Sequence, residues 1–188
     1  MPPVFEINEL APELWAIENW WDDYEWLEQY VLSREGTFVR NEGCCVNRYS
    51  SSYDEQTFSD TNYAFDGLPI HLTIDRYWWN LYDAVWDVLA SVANLHGLRT
   101  ITGGCFAAMV YDQGCGLTPH TDQSDYSTVH FLSRAFEGGG LYFEELDMTV
   151  DPLPNRLLVF RGSYMHEALP VTEGRKVSST QFWKTVLD

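Results

Sequence analysis

Positive charge is scarce in this sequence. Its 188 residues carry 11 Lys and Arg against 28 Asp and Glu, a formal net charge of −17. A molecule so charged repels polyphosphates and anionic membrane surfaces, so neither nucleic acid nor a membrane is expected as a partner. Long apolar runs are missing as well: no window approaches the roughly 18 consecutive apolar residues of a spanning helix. The start, MPPVFEINEL, lacks the basic-then-apolar order of a secretory signal, and a cytoplasmic protein is expected. Cysteine is sparse. Cys44 and Cys45 are adjacent and Cys105 and Cys115 lie ten apart, which is not the spacing of structural zinc, and reduced thiols are expected rather than a disulfide framework. No G-x-x-x-x-G-K-[ST] follows a strand pattern, so Gly138, Gly139 and Gly140 read as a β-turn and not as a phosphate loop. Repeats, low-complexity tracts and linkers are absent too. With 45% hydrophobic and 15% aromatic residues the chain has enough apolar surface for one domain over 1–188 with a true core.

Two stretches carry helical periodicity. From Leu14 to Val31, Leu14, Ile17, Trp21, Tyr24, Leu27, Tyr30 and Val31 recur at three- and four-residue steps, and from about Ile74 to Leu95 a second stripe ends at Gly97. Trp15, Trp20, Trp21 and Trp26, like Trp78 and Trp79, fall on or beside these stripes and read as packing residues. The polar, acidic segment between the stripes reads as a long binding loop. After Gly97 the texture changes to short β-rich runs, ITGGCFAAMVY, STVHFLS, GLYFEEL, RLLVFRG and KVSSTQFW. Helices first and antiparallel strands later predict an α+β fold: a double-sheet jelly roll with N-terminal helices packed on one sheet. Residues 1–99 would be mainly helical support and substrate loop, and 100–188 the jelly-roll half that carries the chemistry.

The segment GLTPHTDQS sets His120 and Asp122 two residues apart, so an extended backbone projects both side chains from one face. A second histidine, His166, follows the strand RLLVF, where a sheet fold can return it to the first pair. Two histidines and one carboxylate on one face of a metal, with open positions opposite, form the ligand set of a non-haem Fe(II) oxygenase. His71, His96 and His130 have no ligand-like spacing.

From about residue 100 to 184 the sequence resembles the prolyl-4-hydroxylase-like branch of the 2-oxoglutarate and Fe(II) dioxygenases. The resemblance rests on several motifs in order: Tyr111 in YDQGCGLTPHTD, the glycine hairpin FEGGGLYFEE, and the last-histidine segment PLPNRLLVFRGSYMHEALPVTEGRK. It implies a double-stranded β-helix, Fe(II) bound by His120, Asp122 and His166, and oxidative decarboxylation of 2-oxoglutarate coupled to hydroxylation of an unactivated C–H bond. The cofactor set would be Fe(II), 2-oxoglutarate and O2, with ascorbate as an accessory reductant. The substrate would be a protein or peptide residue or a free amino acid.

In such enzymes the far carboxylate of 2-oxoglutarate meets a buried cation nine or ten residues after the second histidine, and here those positions are Arg175 and Lys176. Strand alternation puts Lys176 on one face with Ser178, Thr180 and Phe182, and Arg175 on the other with Val177, Ser179, Gln181 and Trp183. The family's strand resembles the first set, which favours Lys176; the bidentate fork of Arg keeps Arg175 in contention. Tyr111 is a candidate donor to the cosubstrate carboxylate, and Ser178 lies on the same face as Lys176. Phe131 stands where some relatives carry a second tyrosine. The acidic loop from Tyr49 to Asp66, free of Lys and Arg, favours a neutral or cationic substrate. Two rival readings stay open: a non-catalytic jelly-roll binding module, and a cupin-like metal enzyme that uses no 2-oxoglutarate.

Overall fold

The computed structural model describes residues 5–33, 76–95, 99–100, 106–122, 124–183 and 185–186. Cys44, Cys45, Cys105, His71, His96, the acidic loop and the side chains of Trp78 and Trp79 lie outside the described residues.

The described chain runs β1 (Glu6–Ala11), β2 (Leu14–Glu18), α1 (Tyr24–Ser33), α2 (Arg76–Val92) and β3 (Arg99–Thr100). It continues through β4 (Phe106–Tyr111), β5 (Leu117–His120), β6 (Tyr126–Phe131), β7 (Phe136–Gly138), β8 (Leu141–Phe143) and β9 (Met148–Val150). The last elements are β10 (Leu157–Arg161), β11 (His166–Ala168), β12 (Val171–Gly174), β13 (Lys176–Trp183) and β14 (Thr185–Val186). A six-stranded sheet in the order β1-β2-β10-β6-β13-β4 faces a four-stranded one, β5-β11-β8-β9, and the strands of both pair antiparallel. This is the expected jelly roll.

Alternation along the large sheet divides two cores. On β10, Leu158 and Phe160 face the small sheet with Val129 and Phe131 of β6 and Phe143 of β8. Leu157 and Val159 point the other way, into a cluster with Trp183 of β13, Leu27 and Val31 of α1, and Val85, Val88 and Leu89 of α2. Full burial of Phe131, Phe143, Phe160 and Trp183 makes each a position where truncation to Ala costs about 3–5 kcal/mol.

Two expectations are corrected. The periodic stretch from Leu14 is not one helix: residues 14–18 are strand β2, and helix begins only at Tyr24. β2 lies between β1 and β10 and is buried on both faces, Leu14 and Ala16 in one core, Trp15 and Ile17 in the other. A doubly buried strand reads as a continuous apolar run, which cannot be separated from a helix by period alone. The three glycines do not close a hairpin either. β7 pairs with β12 while β8 pairs with β9 and β11, so Gly138–Gly140 hands the chain from one sheet to another. Trp26 is the exception among the N-terminal tryptophans: it is 47% exposed and stacks on Tyr30.

One buried histidine joins these layers. His130 of β6 faces the Oδ1 of Asn155 through Nε2 at 3.1 Å, and that oxygen also accepts the Trp21 N–H at 2.9 Å. Nε2 must therefore carry the proton, and Nδ1 has no partner among the described residues. Burial lowers the His130 pKa from 6.5 to about 4. Between those values the unfolded chain binds the extra proton and the folded one does not, so stability falls as pH drops from about 6.5 to about 4. We expect the apo-protein melting temperature to fall across that window, and a His130→Gln variant, which has no group to titrate there, to show a shallower decline.

Candidate metal and cosubstrate site

His120 ends β5, Asp122 follows two residues later, and His166 opens β11, which pairs with β5 so that His166 lies opposite His120. The two imidazole centroids are 4.3 Å apart. His120 Nε2 lies 3.6 Å from Asp122 Oδ1, and His166 Nε2 lies 3.6 Å from Oδ2. Those separations are too long for hydrogen bonds and short enough to be bridged by one ion. One ligand atom from each of the three residues falls within 4.8 Å of the others.

The histidines are oriented alike. Nδ1 of His120 donates to the Thr118 carbonyl at 2.7 Å, and Nδ1 of His166 to the Tyr164 carbonyl at 2.9 Å. Each bond fixes the tautomer whose Nε2 lone pair points at the carboxylate, the arrangement that metal-binding imidazoles adopt. Burial first, and the neighbouring His166 second, hold the His120 pKa well below its ordinary value, so the ring is neutral and competent as a ligand near pH 7. Asp122 is gripped at two points: its Oδ2 accepts from Ser127 Oγ, and its backbone N–H donates to Gly162 O at 2.8 Å. Ser127 in turn shares a hydrogen bond with Ser124 Oγ. Two imidazoles and one carboxylate, each fixed by a second hydrogen bond, fit a divalent metal of the iron class.

Gly162 is there because nothing larger fits. A Cβ on it would lie 2.2 Å from the Ser124 carbonyl oxygen and 2.5 Å from Ser124 Oγ. Gly162→Ala must therefore move the segment that holds Asp122. The expected result is a stability loss of about 1–3 kcal/mol with weakened metal binding, checked by denaturant melts and anaerobic metal titration.

The cavity between the sheets runs from this triad to Lys176, lined on the way by Tyr111, Phe131 and Ser178. Lys176 is 2% exposed. Its Nζ donates to the Gly139 carbonyl at 2.7 Å and sits 4.2 Å from the centre of the Tyr111 ring, a cation–π contact. Burial alone lowers its pKa, to about 7, and no carboxylate among the described residues offsets that cost. A Cβ on Gly139 would approach Lys176 Cδ to 3.1 Å, so the bare glycine leaves the lysine its room. Arg175 points the opposite way and pairs at the surface with Asp112 at 2.6 Å. Thr180 and Phe182 share the Lys176 face of β13. The residues singled out in the sequence thus converge, except Arg175.

Ser127, Ser124 and Gly162 were not foreseen. The one available signal was in YSTVHF, where Ser127 occupies the same alternate face as Val129 and Phe131. A hydroxyl among inward-facing apolar residues needs a buried partner, and Asp122 is that partner.

Residues 106–184 match the family described as the 2OG-Fe(II) oxygenase superfamily. Three solved structures share the fold. A prolyl-4-hydroxylase of Pseudomonas putida superposes with a TM-score of 0.58 at 16% identity over 92% of each chain. The viral collagen prolyl hydroxylase of Paramecium bursaria Chlorella virus-1, in its 2OG complex, gives 0.59 at 15% identity over 93% of this chain and 97% of its own. A prolyl hydroxylase of Trichoplax adhaerens, in complex with a hypoxia inducible factor oxygen degradation domain peptide fragment, gives 0.58 at 20% over 92% and 84%. No curated protein matches the sequence. Residues 106–184, which carry most of the jelly roll and its His-Asp-His cluster, are thus similar to the 2OG-Fe(II) oxygenases, a family whose cofactors are Fe(II), 2-oxoglutarate and O2.

Proposed function

We propose that residues 1–188 form one domain acting as a 2-oxoglutarate-dependent hydroxylase of an unactivated C–H bond in a peptide residue or free amino acid. The observation that carries this reading is the pairing of two features in one cavity: a facial His120, Asp122, His166 set and, deeper, a buried lysine with no carboxylate partner among the described residues. A structural histidine cluster would not need the lysine, and a cupin-like enzyme without 2-oxoglutarate would have no use for it.

His120, Asp122 and His166 would hold Fe(II), which supplies the activation of O2 at the expense of 2-oxoglutarate. Lys176 would receive the far carboxylate, adding a charge-assisted bond to its contact with the Gly139 carbonyl. The Gly139 carbonyl and the Tyr111 ring keep its ammonium aimed into the cavity. Ser178, one step along the same face, offers a hydroxyl to that carboxylate, and Tyr111 lines the same wall. Phe131, Phe143 and Phe160 exclude water around the histidines, Phe160 packing edge-on to His166 at 4.9 Å.

The substrate is neutral or cationic, a reading supported by the net charge of −17. The peptide in the Trichoplax structure supports a peptide over a small metabolite. A cytoplasmic location belongs to the same reading, supported by the sparse cysteines of the sequence, whose spacing is not that of a disulfide framework. Among the described residues no helix is long and apolar enough to cross a membrane.

The test is an anaerobic titration of the apo protein with Fe(II) and then 2-oxoglutarate, followed by succinate measurement in air across a panel of neutral, cationic and anionic peptides and amino acids. Ordered binding of both, with succinate raised by one class, is the expected result. A protein that ignores Fe(II) and 2-oxoglutarate is the binding module instead.

A further inference from the structure

The β1–β2 hairpin closes through a two-residue turn, Pro12 and Glu13, between the paired Ala11 and Leu14. Proline fixes the first position near φ −65°, which rules out the primed turns usual in hairpins. The second position then takes a left-handed φ, here +54° at Glu13. Glycine is the ordinary residue for that conformation, and a longer side chain there costs about 1 kcal/mol or more. Glutamate at a site that favours glycine calls for an explanation, and its contacts give one.

Glu13 touches the two strands that hold Asp122. Its carboxylate accepts from Arg161 Nη1 at 2.5 Å and from the Tyr126 hydroxyl at 3.1 Å, and its backbone carbonyl accepts the Arg161 N–H at 3.1 Å. Arg161 precedes Gly162, whose carbonyl holds the Asp122 N–H, and Tyr126 precedes Ser127, whose hydroxyl holds Asp122 Oδ2. Arg161 and Tyr126 are themselves paired across β10 and β6. On the other side of the same turn, the Pro12 carbonyl accepts the Tyr164 hydroxyl at 2.7 Å, and the Tyr164 carbonyl is the acceptor that orients His166. One turn therefore reaches three of the groups that aim Asp122 and His166, Tyr164 directly and Gly162 and Ser127 one residue removed.

We propose that Glu13 is a positioning residue for the metal site, acting with Pro12 as a brace from the N-terminal hairpin onto the 161–165 turn and the start of β6. The proposal rests on the oxygenase reading above. Glu13 and Arg161 are roughly one-third and one-half exposed, so the ion pair itself adds little stability. Its effect is on where Gly162, Ser127 and Tyr164 sit.

That separation of roles gives the test. Glu13→Gly relieves the left-handed strain and removes the carboxylate, so it should melt at or above the wild-type temperature yet bind metal more weakly. Apo protein is titrated anaerobically with Co(II), read by its visible absorbance, with Tyr164→Phe as a second variant that removes only the hydroxyl bonded to Pro12. Each should lower Co(II) affinity by about three- to tenfold, less than the 10- to 100-fold typical of residues bonded directly to metal ligands. Co(II) affinity unchanged in both variants overturns the brace. If wild type and His166→Ala bind Co(II) equally, the oxygenase reading itself has failed, a result distinct from the first.

Discussion

Asp122→Ala is expected to abolish 2-oxoglutarate turnover and to weaken metal binding by at least about 100-fold, while the protein still melts cooperatively. Asp122 is the sole anion of the triad, and each of its oxygens faces one histidine nitrogen at 3.6 Å. Without it two imidazoles remain, neither of which brings a negative charge to balance a divalent ion between them. The fold has little reason to fail. The backbone N–H of residue 122 keeps its bond to Gly162, and Ser127, released by the carboxylate, retains Ser124 as a partner. Isothermal titration with Co(II), succinate assay and thermal melts together check the result. Turnover retained in Asp122→Ala would show that the metal, if any, is held elsewhere.

How much of this was legible follows from how local each feature is. The ligand pair His120 and Asp122 was legible because strand alternation is a two-residue rule. The separation of Lys176 from Arg175 used the same rule, and the structure puts the first in the cavity wall and the second against Asp112. The strand LWAI was illegible because both its faces are apolar, one for each core, which erases the alternation that marks a half-buried strand. The glycine run misled for a related reason. Its residues do demand a turn, with Gly138 and Gly139 at φ +74° and +68°, but which sheet each flanking strand joins is decided by partners far along the chain. Glu13 and Arg161 meet across 148 positions, and no local pattern signals such a contact. What the sequence reveals is therefore which side chains share a face; what it conceals is what the opposite surface brings to meet them.

Lys176→Ala should raise the Michaelis constant for 2-oxoglutarate by on the order of tenfold to a thousandfold, since a charge-assisted contact of this kind is worth roughly 1.5–3 kcal/mol and more when buried. Arg175→Ala, which loses a surface pair with Asp112, should change it little. The wild-type protein should also show a pH signature that the variant lacks. Burial lowers the Lys176 pKa from 10.5 to about 7, so above pH 7 the free protein holds a neutral amine. A carboxylate ligand needs the ammonium, and binding must then take up a proton. The dissociation constant should be flat below about pH 7 and climb by up to about tenfold per pH unit above it. Folding runs the other way. Between pH 7 and 10.5 the unfolded chain holds the proton that folded Lys176 has shed, so this group makes the apo protein more stable as pH rises through that window. Equilibrium binding of 2-oxoglutarate to the metal-loaded protein under nitrogen, repeated from pH 6 to about 9, separates the two trends. Opposite slopes for binding and stability, both lost in Lys176→Met, assign the anchor to this lysine. A binding curve indifferent to pH, or a slope that survives the substitution, would give the cosubstrate carboxylate to another group.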